Sequence, residues 1–173
     1  MLKKILLVVV GLFVVLALLP AVLSSKVEIV RSIDINAEVD KTHLYLSDFQ
    51  NFASWSPFAE EDPTSKSEAK NSGVGSTFSW VGERTGEGVM KISEIVPNKA
   101  IKMDLEFYKP MDGIAKSEWQ TEKVSDGVTK VTWTFEQELP YARRYFGLMM
   151  DTMMGGTFEK GLQNLKNNIE AQP

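Results

Sequence analysis

The sequence predicts an α+β domain: an antiparallel meander of strands covered on one face by a long C-terminal helix, preceded by a separate apolar helix at the N-terminus. Three observations carry this. Between Pro140 and Glu170 the apolar residues Phe146, Met150, Met154, Phe158, Leu162, Leu165 and Ile169 recur at helical spacing. From Ser76 to Leu139 the chain is cut by glycine and proline into segments that alternate apolar and polar residues, the period of strands. Ahead of both lies an apolar run from Ile5 to Leu23.

Residues 1–25 form the N-terminal anchor or signal segment, and residues 26–173 form one domain. Lys3 and Lys4 precede the apolar run, which at about 1.5 Å per residue is long enough to cross a bilayer. The lysines favour a cytoplasmic N-terminus and a single pass, which puts the body outside the cytoplasm. A cleaved signal peptide begins in the same way, and Val22 and Ser24 then take the processing positions after Pro20. That alternative makes the body secreted or periplasmic, but the lack of an Ala-x-Ala site favours the anchor.

After the anchor, Val27, Ile29, Ile33 and Ile35 alternate along a first strand, Lys26 to Ala37, whose pattern is broken around Val30 and Arg31. Asp40 is expected to cap a short helix reaching about Asp48, and Phe49, Phe52 and Trp55 fall on a second short helix that Pro57 stops. Glu60, Glu61, Asp62 and Pro63 read as a solvated loop. Strands follow at Ser76–Gly82, Gly88–Val96, Ala100–Tyr108, Ala115–Val124 and Val128–Leu139. Their alternation turns Phe78, Trp80, Met90, Ile92, Leu105, Trp119 and Trp133 to one face, and leaves Lys102, Asp104, Glu106, Lys130 and Glu136 on the wet one. Pro140 suits the first helical position of the last segment.

Composition excludes several classes of function. Residues 26–173 hold 17 basic against 23 acidic side chains, a charge of −6, the wrong sign for a nucleic-acid partner. No cysteine is present, so there is no thiolate metal site or cysteine nucleophile, and one histidine, His43, cannot build a histidine cage. No cofactor is implied. Gly73–Ser76 leads into a strand and Gly82–Gly88 lacks a P-loop lysine, so both read as turns rather than phosphate cradles.

The last helix has two unlike halves. Phe158, Leu162, Leu165 and Ile169 form a clean apolar face, whereas Phe146, Leu148, Met149, Met150, Met153 and Met154 surround the first half. On a continuous helix Asp151 shares the side of Phe158 and Leu162. Either Gly155 and Gly156 bend or break the helix and release Asp151 to solvent, or Asp151 stands at the mouth of a cavity as a polar or acid/base group. The expected pocket lining is Trp80, Met90, Leu105, Trp119, Trp133, Met150, Met154 and Phe158, and all of these are equally at home in a plain core.

The order strand, two short helices, meander and long helix, with INAEVDKTHLYLSDFQNFASWSPF, resembles the START-like (SRPBCC) superfamily and its helix-grip fold. The nearest pattern is that of the polyketide cyclase/dehydrase and lipid-transport group. Leu46, Asp48, Phe49, Trp55, Ser56, Pro57, Phe58 and the Gly73–Ser76 strand opening carry it, with Phe52 where tryptophan is usual. The resemblance implies an antiparallel sheet of about seven strands gripping the last helix around a tunnel for a hydrophobic small molecule or lipid. Thr42 and His43 depart from the pattern at a position where an aromatic commonly follows valine. His43 is therefore either a satisfied interior histidine or a catalytic partner of Asp151. Three functions stay open: a membrane-tethered binder of an apolar ligand, a cyclase-, dehydratase- or hydrolase-like enzyme, and a ligand-free module whose Met-rich helix meets an unknown protein partner.

Overall fold

The computed structural model describes residues 2–172, so Met1 and Pro173, the outermost residues of the two expected segments, lie outside it. The elements are α1 (Leu2–Leu18), β1 (Lys26–Ile35), α2 (Val39–Leu46), α3 (Phe49–Trp55), α4 (Phe58–Glu61), β2 (Lys66–Lys70), β3 (Thr77–Gly82), β4 (Gly86–Val96), β5 (Ala100–Lys109), β6 (Gly113–Ser125), β7 (Val128–Glu138) and α5 (Arg144–Glu170). Short 3-10 turns at Leu19–Ala21 and Tyr141–Arg143 lead out of α1 and into α5.

The strands form one antiparallel sheet of seven, in the order β1-β7-β6-β5-β4-β3-β2. Every neighbour from β2 to β7 is joined by a local turn, and only β1 crosses over to pair with β7. Its alternation is unbroken. Val27, Ile29, Ile33 and Ile35 face inward, and Arg31 occupies the inward position between them instead of interrupting the strand. The polar strand β2 was not legible as a segment of its own, because it is an outer edge of which only Ala69 is partly buried. Such an edge carries charge for solubility rather than an apolar face.

Two local expectations, for Asp40 and Pro140, give way to packing. Asp40 lies in the first turn of α2 rather than at its cap, whereas Asp48 does cap α3, accepting from the Gln50 N–H at 2.9 Å. The second short helix does end before Pro57, at Trp55, and Pro57 then caps the further short helix α4. Pro140 precedes the 3-10 turn, so α5 begins at Arg144.

The larger correction concerns Gly155 and Gly156, which do not break α5: the helix runs unbroken for 27 residues. Gly155 is buried because the Arg31 guanidinium lies on it, and a Cβ there would stand 1.9 Å from an Arg31 nitrogen. Arg31 reaches Asp151 at 2.9 Å and Glu159 at 2.8 Å, one turn to either side. The glycine is thus a seat for a side chain from β1. Gly161 does the same for close approach to Pro57 and Trp133, each 2.9 Å from where its Cβ would be.

One helical stretch, Lys3–Ala21, is long and apolar enough to cross a membrane, a property that anchors and signal sequences share. Its end is held against the start of α5. Tyr141 donates to the Ala17 carbonyl at 2.7 Å, Arg144 to the Pro20 carbonyl at 3.0 Å, and Tyr145 to the Leu16 carbonyl.

The glycines of α5 give opposite expectations. Gly156 faces open space, so Gly156→Ala should raise the unfolding free energy by about 1 kcal/mol through helix propensity. Gly161→Ala should lower it by about 1–3 kcal/mol through overpacking against Trp133. Urea titrations of the two variants check both signs.

Candidate functional site

The inner face of the sheet is built by alternation and sealed by aromatics. Trp119 and Trp133 are register partners on β6 and β7, and Met90 and Leu105 are partners on β4 and β5. Against them α3 places Phe49, Phe52 and Trp55, three rings on one face of a short helix and all buried. Phe52 lies 4.8 Å from both Trp55 and Phe78, and Trp55 lies 5.1 Å from Trp119. From the other side Phe158 stacks on Trp133 at 4.3 Å and 10°. Five of the expected lining residues, Met90, Leu105, Trp119, Trp133 and Phe158, therefore sit in one buried cluster with these rings.

The other three, Trp80, Met150 and Met154, are only partly buried, as is Phe107. Trp80 lies over Gly88, where a Cβ would meet its ring at 2.5 Å, and contacts Phe107 at 5.8 Å. Phe107 in turn reaches Phe135, which packs edge-on against Phe158. α5 runs along β1 and approaches β7 less. Trp80 and Phe107 on the sheet and Met150 and Met154 on α5 are thus less covered than the aromatic cluster around α3.

Polar groups on this face are engaged in part, and Trp119 Nε1 is buried with no partner among the described residues. Trp133 Nε1 donates to the Ser117 hydroxyl at 2.9 Å, which donates on to the Thr134 carbonyl, and Trp80 Nε1 donates to the Thr85 carbonyl at 3.3 Å. His43 is 6% exposed, with Nδ1 3.3 Å from the Thr121 hydroxyl and no partner at Nε2 among the described residues. Burial lowers its pKa and keeps the ring neutral. The Asp151 side chain is 62% exposed and is held by Arg31. The structure does not bring His43 and Asp151 together. Their partners, Thr121 on β6 and Arg31 on β1, have β7 between them, two strand spacings or roughly 10 Å.

Arg31 and the acidic segment were missed as organising residues. Glu60 meets Lys160 at 2.7 Å and Asn164 at 3.0 Å, and Glu61 accepts from Thr157 at 2.6 Å, so α4 is tied to α5. Asp62, expected in a solvated loop, is 1% exposed. Its carboxylate accepts from the Thr64 hydroxyl and from the backbone N–H groups of Arg84 and Thr85, which hold its pKa far below the usual range. A run of acids carries no sequence signal for this, because only Thr64 is local and the donors to the other carboxylate oxygen arrive from the distant β3–β4 turn. Among the described residues no cluster of His, Asp and Glu gathers to hold a metal ion.

Two surface clefts lie outside the sheet, on its polar face. One of about 540 Å³ is lined by residues including Asp34, Glu122, Lys123 and Lys130, and one of about 120 Å³ by residues including Lys102, Asp104, Lys116 and Glu118. Neither is lined by any of the eight expected pocket residues.

Two measurements follow. Phe158→Ala should cost about 3–5 kcal/mol, the loss of a fully buried ring, in chemical denaturation. Because the folded-state pKa of His43 lies below its ordinary 6.5, the unfolded chain binds the extra proton first. The stabilisation from a neutral His43 is complete above 6.5 and is lost as pH falls from there towards the folded pKa. In His43→Gln that part of the slope should vanish from urea midpoints taken between pH 7.5 and 5.5, a window about one unit to either side.

Comparison with known proteins agrees with the fold. No curated protein matches the sequence. Among solved structures, the Zhui aromatase/cyclase from Streptomyces sp. R1128 is similar with a TM-score of 0.60 at 14% identity, covering 84% of this chain and 94% of that one. The di-domain ARO/CYC BexL of the BE-7585A biosynthetic pathway gives 0.63 at 16% identity over 84% of this chain, which spans 48% of that protein. Protein CV1439 from Chromobacterium violaceum gives 0.56 at 14% identity, covering 86% and 99%. At these identities the likeness is one of fold. The family model described as polyketide cyclase / dehydrase and lipid transport matches residues 26–170, and the chain belongs to that family.

Proposed function

We propose that the protein is a membrane-tethered domain that binds one hydrophobic small molecule or lipid between the sheet and the first half of α5. A single observation carries the reading. Trp80, Phe107, Met150 and Met154, from three separate elements, stay only partly buried on the apolar inner side, while Phe49, Phe52, Trp55, Trp119, Trp133 and Phe158 are sealed in the core. Ligand sites in proteins are mostly apolar with few polar groups, and this lining fits that description. Met150 and Met154 have the unbranched, rotatable side chains that let an apolar wall adapt to its guest. The pocket then lies at one end of the sheet and not along its whole length, because α3 and Phe158 fill the remainder. Residues 1–25 keep the domain at the bilayer, and Lys3 and Lys4 favour a body outside the cytoplasm.

Binding is favoured over catalysis by the polar inventory. The aromatase/cyclase neighbours suggest chemistry, but here His43 and Asp151 are engaged apart from each other and, among the described residues, no nucleophile is paired with a base. A second reading, the ligand-free interaction module, has its own support: the aromatic layer is packed, and Met149 and Met153 are exposed.

Native mass spectrometry of the full chain released from micelles, after challenge with fatty acids and aromatic polyketide-like compounds, separates the two. The wild type should retain one apolar adduct. Met154→Trp, which fills the less covered side, should lose it without unfolding. A wild type that stays empty under every challenge favours the interaction module.

A further inference from the structure

The outer face of α5 changes character halfway along the helix. In the second half the residues turned away from the sheet are polar: Lys160, Gln163 and Asn167. At about 100° per residue, Phe146, Met149 and Met153 continue that same outward face into the first half, yet they are 53%, 57% and 66% exposed. Met150 and Met154, which look inward, already supply the core contacts. Nothing in the domain covers the outer three.

Their surroundings indicate what does. The Tyr141 and Tyr145 hydroxyls donate to the carbonyls of Ala17 and Leu16, inside the last turns of the apolar helix, and Arg144 donates to the carbonyl of Pro20. The start of α5 is therefore level with the end of the apolar run, not beyond it. Two tyrosines at that height occupy the position that amphipathic aromatic rings prefer in a bilayer, the boundary between acyl chains and headgroups. Phe146 to Met153 is only about 10 Å of helix further on. Arg143, whose guanidinium also pairs with Asp112 at 3.1 Å, and Arg144 stand at the same end, although residues 26–173 are acidic as a whole, and guanidinium groups suit lipid phosphates.

We propose that the outer face of the first half of α5 is a second membrane contact, with Phe146, Met149 and Met153 lying in the headgroup region of the bilayer that α1 enters. The contact rests on the tethered reading above and adds an orientation to it. The partly buried apolar lining on the inner side of the same helix segment is then held at the membrane surface rather than out in the aqueous phase.

The absence of cysteine makes the test direct. Single variants Leu12→Cys, Met149→Cys, Met153→Cys and Gln163→Cys of the full chain are labelled with an environment-sensitive fluorophore and reconstituted into phosphatidylcholine–phosphatidylglycerol vesicles. Lipids carrying a spin-label quencher at shallow or deep positions are then introduced. The expected result is a blue shift with strong loss of emission to the shallow quencher at 149 and 153, loss to the deep quencher at 12, and no response at 163. If 12 is quenched while 149 and 153 behave like 163, the second contact is wrong and the tether stands. If 12 is not quenched, the tether itself fails and the contact with it. A blue shift at 149 and 153 without lipid quenching means that a protein surface, a second copy or another chain, covers this face, and overturns the proposal.

Discussion

The fold depends first on one contact, the stacking of Phe158 on Trp133 at 4.3 Å. It is where α5 meets β7, and it requires Gly161 one turn later, because any Cβ there would strike the same indole. Trp133 in turn is fixed by its bond to Ser117 and by the rings of Trp55 and Trp119. Two large rings in contact bury on the order of several hundred Å² of apolar surface, so the position of the helix follows from where these rings can lie. The rest of α5 can only continue from there. Its C-terminal half descends into the buried cluster with Leu162, Leu165 and Ile169, and its N-terminal half projects towards the end of α1.

A second constraint fixes the rotation of the helix. Arg31 leaves β1 on its inward side and lies across Gly155, with Asp151 and Glu159 one turn away on either side. Each ion pair taken alone is largely solvent-exposed and contributes little. Their value is geometric. A guanidinium forked between two carboxylates can be satisfied by one rotation of the helix, and that rotation presents Met150 and Met154 inward and Met149 and Met153 outward. Glu60, Glu61 and Asn164 pin the opposite flank through α4. The functional reading follows from this asymmetry: an apolar lining that is complete over α3 and incomplete beside the start of α5.

Much of the architecture could be read directly. The meander, the long last helix, the inward set of aromatics and the resemblance to the helix-grip fold all rest on periodicity and local turn chemistry, which survive in a single chain without its partners. β2 could not, because an exposed edge strand has no apolar alternation to betray it. Asp62 could not either. A buried carboxylate satisfied by Arg84, Thr85 and Thr64 looks in sequence like any acid beside a proline. The candidate site was legible as a set of residues but not as a place, since periodicity does not say whether Trp119 is wall or filling once Phe49, Phe52 and Trp55 are packed against it.

By itself the sequence determined which apolar residues face inward on the strands other than β2, that the last segment is a helix, that an apolar stretch long enough to cross a bilayer precedes the domain, and that the charge is acidic with no cysteine and one histidine. These are properties of period and charge. Only the tertiary structure decided that Gly155 is a seat for Arg31 and not a break, that His43 and Asp151 have different partners, and that the aromatics of α3 fill most of the inner face. Each of these turns on what arrives from elsewhere in the chain, 128 residues away in the case of Arg31 and Glu159. Local pattern carries no record of such an arrival.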